Sequence, residues 1–257
     1  MTLNNEAQLN ESRSGHPWDW KAALILFFLM ILLNLSVIPS IQSGFLVLTG
    51  WQFDPFSGAI TSPGSILGPW LGTVSGELLI LFLTLFFVVY ICKNKLRALN
   101  FRWPSLKHIL IALGGVCAAY GASILGGILQ YYLTGLDPNE ESYNLLFQTS
   151  NAFELIIWVL VMMCVVGPFE EIFARGFVQQ GFQNSSKSKK ISVFIGIIIA
   201  SFLFALVHLN FYRIIPLFLV GLILGLVYYY TNNNVMASAI THGIYNSLII
   251  LLSFLFP

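Results

Sequence analysis

The amino-acid sequence predicts an all-α, polytopic membrane protein of about seven transmembrane helices, on three observations. Of its 257 residues, 57% are hydrophobic and 9% charged, against roughly 25% charged in soluble domains. Seven apolar runs are long enough, or nearly so, for the ~20 helical residues that cross a ~30 Å hydrocarbon core. The basic residues are confined almost entirely to alternate loops.

Residues 1–21 form a polar tail without the apolar core of a signal peptide, so the first apolar run reads as a retained span. Trp18, Trp20 and Lys21 read as an interfacial anchor at its start. The spans are placed at 22–39, 70–92, 108–134, 153–182, 191–209, 212–230 and 235–256. Residues 40–69, rich in Gly, Pro, Ser and Thr, read as an external loop whose Phe45-Leu46-Val47-Leu48 dips into the interface; an eighth, interfacial segment there is the alternative count. Residues 22–257 thus form one integral membrane domain.

Loop charge orients the array. Arg13 and Lys21 precede the first span, Lys93, Lys95, Arg97, Arg102 and Lys107 follow the second, and Lys187, Lys189 and Lys190 follow the fourth. Ten of twelve basic residues therefore share one side, which the positive-inside rule makes cytoplasmic. The N-terminus is expected inside, the C-terminus outside, and the membrane to be the plasma membrane. A net charge of +1 gives nucleic-acid binding no electrostatic support. Cys92, Cys117 and Cys164 lack CxxC spacing and read as small buried hydrophobes.

Against this background, Glu170, Glu171 and Arg175 stand out. An ionised side chain at bilayer depth costs at least ~2.5 kcal/mol, so each needs a partner, a wet cavity or a function. Glu171 and Arg175 have the i,i+4 spacing of an ion pair, acid N-terminal to base. Glu170 lies about 100° around the helix and faces another neighbour, which leaves it placed to accept a proton. The bland alternative is a buried Glu-Glu-Arg cluster that only ties helices together.

Two further spans carry polar residues at depth. Phe204 shares a helix face with His208, and His242 with Asn246. A glutamate can take a proton from water while His and Asn donate to the oxyanion that forms when the water attacks a carbonyl. Glu170, His208, His242 and Asn246 can equally be read as zinc ligands. Glu77, within the second span, either pairs in the core or faces a cavity. Glu154 reads as interfacial and His108 as solvated. Gly114, Gly115, Gly121, Gly126 and Gly127 read as a close-packing face.

The E-E-x-x-x-R, F-x-x-x-H and H-x-x-x-N elements, in this order on three apolar spans, resemble the CAAX prenyl endopeptidase and bacteriocin-processing family (CPBP) of intramembrane proteases, also called the abortive-infectivity family. The resemblance covers residues 165 to 250, within a protease-like core at about 108–257. It implies a helical fold with a cavity open to the cytoplasmic side. It also implies Glu170 as the base that activates water, Glu171 paired with Arg175 to hold the site, His208 as a water or substrate partner, and His242 with Asn246 as the oxyanion-stabilising pair. The substrate implied is a membrane-associated peptide or protein, prenylated or carrying a peptide leader. Both metal-dependent and metal-free mechanisms are ascribed to the family, so the cofactor is none or zinc. No carboxylate is evident near His208 or His242 to orient a zinc-bound imidazole, which favours the metal-free reading.

The rivals are a non-proteolytic scaffold or bacteriocin immunity protein of the same fold, and a transporter, against which the lack of paired broken helices argues. The sequence leaves the oligomeric state open. One geometric tension remains: straight helices put His208 about 27 Å, and His242 about 10 Å, beyond the inner ends of their spans. Either the fifth helix begins below the membrane, near Ser185 to Lys190, or strong tilt levels the two.

Overall fold

A computed structural model describes residues 18–137, 147–185 and 189–256. Arg13, Lys187 and most of the expected N-terminal tail lie outside the described residues. Among the described residues, seven helical spans are long and apolar enough to cross a membrane, and they follow the expected array. The first has two parts, α1 (Trp20–Leu35) and α2 (Val37–Leu48). A short antiparallel hairpin, β1 (Gln52–Phe53) and β2 (Ile60–Ser62), leads to α3 (Leu67–Phe86), which ends in a π turn over Phe87–Ile91. The remaining spans are α4 (Leu106–Thr134), α5 (Ala152–Gln183), α6 (Lys189–Val207), α7 (Ile214–Tyr230) and α8 (Val235–Leu255).

The expected loop at 40–69 is corrected at its start, because helix continues to Leu48. Polarity misleads here: α2 packs along α3, and a Cβ on Gly72 would stand 3.2 Å from Gln42 and one on Gly76 3.1 Å from Ile38. Small residues on α3 thus admit a helix whose composition looks loop-like. Trp18 is also corrected. It is no interfacial anchor but is buried, stacked on Phe177 at 4.7 Å, with Nε1–H donating to the Phe177 carbonyl at 2.8 Å. Trp20 remains exposed beside Lys21.

Other readings shift in detail. Cys117 and Cys164 are exposed rather than buried, since an apolar thiol is at home on a lipid-facing flank. Within the glycine face of α4, Gly115 and Gly126 meet Val227 and Pro216 closely, whereas Gly114 and Gly121 meet nothing. His108 Nε2 lies 3.4 Å from Asn232 Nδ2, so it is tied to the α7–α8 turn rather than simply solvated. Glu154 caps α5: Asn151 Oδ1 accepts from its N–H at 3.0 Å, and Glu154 Oε2 accepts from Ser150 N–H at 2.7 Å.

The site is framed by α5, α6, α7 and α8. Around Phe177 the core gathers Leu26, Met30, Val88, Leu224 and Tyr228. The depth tension resolves as stagger. A Cβ on Gly176 of α5 would stand 3.3 Å from Val235, the first residue of α8. From there α5 runs on to Gln183, about 10 Å further at 1.5 Å per residue. The adjoining ends of α5 and α6 therefore project beyond the start of α8, which brings His208 level with His242.

Candidate active site

The local course of α5 sets the site. Pro168 has no N–H, which would break an α-helical ladder. Immediately before it the helix widens to π geometry over Met162–Val166, with the Gly167 N–H bonded to the Met162 carbonyl. A single α turn, Gly167–Glu171, carries both glutamates before π geometry returns over Ile172–Gln179. Such π segments are rare and recur at functional sites. At this level α5 and α8 touch backbone to backbone: a Cβ on Gly167 would stand 2.9 Å from both Ala239 O and Gly243 N.

Glu171 and Arg175 are fully buried and form an ion pair, Nε to Oε2, at 3.3 Å. Arg175 Nη2 donates to the Gly221 carbonyl at 3.1 Å, and its guanidinium lies over the Phe204 ring at 4.9 Å. Glu171 Oε2 also accepts from Ser238 Oγ–H, while Oε1 stands 3.2 Å from His242 Nδ1. Glu171 is thus fully engaged.

Glu170 is not. Its Oε2 is sealed from solvent without a hydrogen-bond partner, and faces His208 Nε2 at 3.7 Å and His242 Nε2 at 4.0 Å. These gaps are too long for direct hydrogen bonds and suit a group set between. The other imidazole nitrogens fix the tautomers. His208 Nδ1–H donates to the Phe204 carbonyl at 2.7 Å, and His242 Nδ1–H donates to the Glu171 carboxylate, so in each neutral ring Nε2 is the lone-pair nitrogen turned to Glu170. His208 and Glu170 keep 28% and 17% of their side chains exposed, against none for Glu171 and Arg175, so the cluster opens on the Glu170–His208 side. Just past His208, Leu209 takes a left-handed φ of 54°, an uncommon strain for a branched side chain.

Five of the six candidates therefore converge. Asn246 is half-buried on α8 beyond His242, and among the described residues no hydrogen bond joins it to the cluster. Two neighbours were missed as site residues. Ser238 stands one turn before His242, an S-x-x-x-H spacing that signals it. Glu77 is buried with an unpartnered Oε2 on α3, which packs on the turn that carries Glu170; it is signalled only by being a charge at mid-span.

One ground against zinc falls: Glu171 is the carboxylate behind His242, brought there by the fold. Ligand atoms on one tetrahedral zinc, at 2.0–2.1 Å each, stand about 3.3–3.4 Å apart, closer than the 3.7 and 4.0 Å found here. Among the described residues no group of three His, Cys, Asp or Glu side chains is disposed to hold a metal ion. In this arrangement the residues do not form the zinc site.

Fold and cluster together define an integral membrane protein with a glutamate–histidine site inside its helices. Residues 152–248 match the family model of type II CAAX prenyl endopeptidases, Rce1-like, in keeping with the resemblance carried by the three motifs. The match takes in all six candidate residues and leaves α1 to α4 outside it. No curated protein and no solved structure matches the chain.

Proposed function

We propose that the protein is an intramembrane endopeptidase in which Glu170 activates water to hydrolyse a peptide bond of a membrane-associated substrate. The observation that carries this is the unpartnered Glu170 Oε2 facing both imidazole Nε2 atoms across gaps of 3.7 and 4.0 Å. A water set there donates one proton to Glu170 as its oxygen bonds to the peptide carbonyl carbon. His208 orients that water. The carbonyl oxygen becomes an oxyanion, which accepts hydrogen bonds from Asn246 Nδ2–H and from His242, which enters the reaction as the imidazolium with a proton on Nε2 as well as on Nδ1. Glu171 holds the His242 Nδ1–H throughout, and Arg175 holds Glu171. As the C–N bond breaks, Glu170 passes its proton to the leaving amine.

The family match supports a CAAX-protease-like role. The loop charges support an orientation with the N-terminus and site entrance on the cytoplasmic side, in a membrane we take to be the plasma membrane. The substrate is a membrane-tethered peptide or protein, with prenyl-modified and leader-bearing chains as the classes to compare. The test is cleavage of a panel of such peptides by purified protein in lipid, with and without a chelator. Chelator-resistant cleavage is the expected result. Cleavage lost to the chelator and restored by zinc would contradict the metal-free mechanism.

A further inference from the structure

Glu77 has no place in the chemistry above, yet its burial demands an explanation. It lies on α3, outside the matched residues 152–248, and is only 8% exposed, with Oε2 sealed from solvent and without a hydrogen-bond partner. Its helix packs on the Gly167–Glu171 turn that carries Glu170, so that the two carboxyls interact. The fold holds it there, because Gly72 and Gly76 clamp α3 against Gln42 and Ile38 of α2 while the other side of α3 packs on α5.

Two ionised carboxylates in contact repel, and a hydrogen bond between them requires one to keep its proton. The surroundings say which. Arg175, His208 and His242 lie on the Glu170 side, whereas residues 37–86, which include α2 and α3, contain no Lys or Arg. We propose that Glu77 is a positioning residue: its neutral carboxyl donates a hydrogen bond to the Glu170 carboxylate and keeps Oε2 aimed between His208 and His242. The N-terminal half of the chain then contributes to the site as well as to the scaffold.

This rests on Glu170 being the base, and the experiment separates the two claims. Peptide cleavage in lipid is measured for wild type, Glu170→Ala, Glu77→Met and Glu77→Gln. Misaimed reacting groups cost about 10²-fold, so Glu77→Met is expected to lower kcat by about that factor at unchanged KM, while Glu77→Gln, which keeps an N–H donor, stays within about threefold of wild type. If Glu170→Ala is inactive and Glu77→Met cleaves like wild type, the role of Glu77 is overturned and the base stands. If Glu77→Gln falls as far as Glu77→Met, donation is not its role. If Glu170→Ala cleaves like wild type, the base reading fails. Should Glu77→Met not fold, the infrared difference spectrum of wild type minus Glu77→Gln decides. Loss of the carbonyl stretch of a protonated carboxyl supports the proposal, and a spectrum without that band overturns it.

Discussion

Glu171 engages three side chains at once: the Arg175 guanidinium at 3.3 Å, the Ser238 hydroxyl and the His242 imidazole at 3.2 Å. Buried charge is tolerated only when it is paired and hydrogen-bonded, and removing one partner of a buried pair costs about 3–5 kcal/mol. Arg175→Met is therefore expected to destabilise the protein by about that amount in equilibrium unfolding, with Glu171→Gln in the same chain recovering part of the loss. An unchanged unfolding midpoint for Arg175→Met would remove Glu171 from its anchoring role. The ion pair was legible from i,i+4 spacing alone. The His242 contact was not, because it joins helices distant in sequence, and no local pattern sets the rotation of α8 against α5.

At the scale of elements, the seam between α5 and α8 fixes how far the glutamates stand from His242. A Cβ on Gly243 would stand 3.0 Å from Met163 Cα and 3.1 Å from the Met162 carbonyl, so a branched side chain there must push the two backbones apart. Gly243→Val is expected to lower the Tm in detergent by several degrees and to abolish cleavage, since a shift near 1 Å at reacting groups costs about 10²-fold. A variant with wild-type Tm and activity would show that the seam has room. Pro168, lacking an N–H, marks the fourth span for a disturbance, but the π turn that absorbs it has no local sequence signal, since hydrogen-bond register follows from packing on α8. The polar composition that hid α2 is the converse case: its Ser and Gln residues look like loop when read alone, but glycines on α3 make it a packed helix.

For the whole molecule, the seven-span array was legible because lipid imposes one helical solution on every long apolar run. The stagger that levels His208 with His242 was hidden, because hydropathy gives length but not vertical offset. Orientation is open to direct measurement. With Cys92, Cys117 and Cys164 replaced, a cysteine at Ser57, in the loop between α2 and α3, is expected to react with an impermeant maleimide on intact cells. One at Lys95, in the basic loop after α3, is expected to react only after permeabilisation. The opposite pattern would invert the protein and put the site entrance outside. The central claim remains that Glu170 activates the hydrolytic water, and the rate ratio of wild type to Glu170→Ala on one cleavable membrane-tethered peptide, at matched Tm, tests it most directly. General-base catalysis is worth about 10²–10⁴-fold, so a loss of that size is expected. A folded Glu170→Ala protein that cleaves at the wild-type rate would contradict the account.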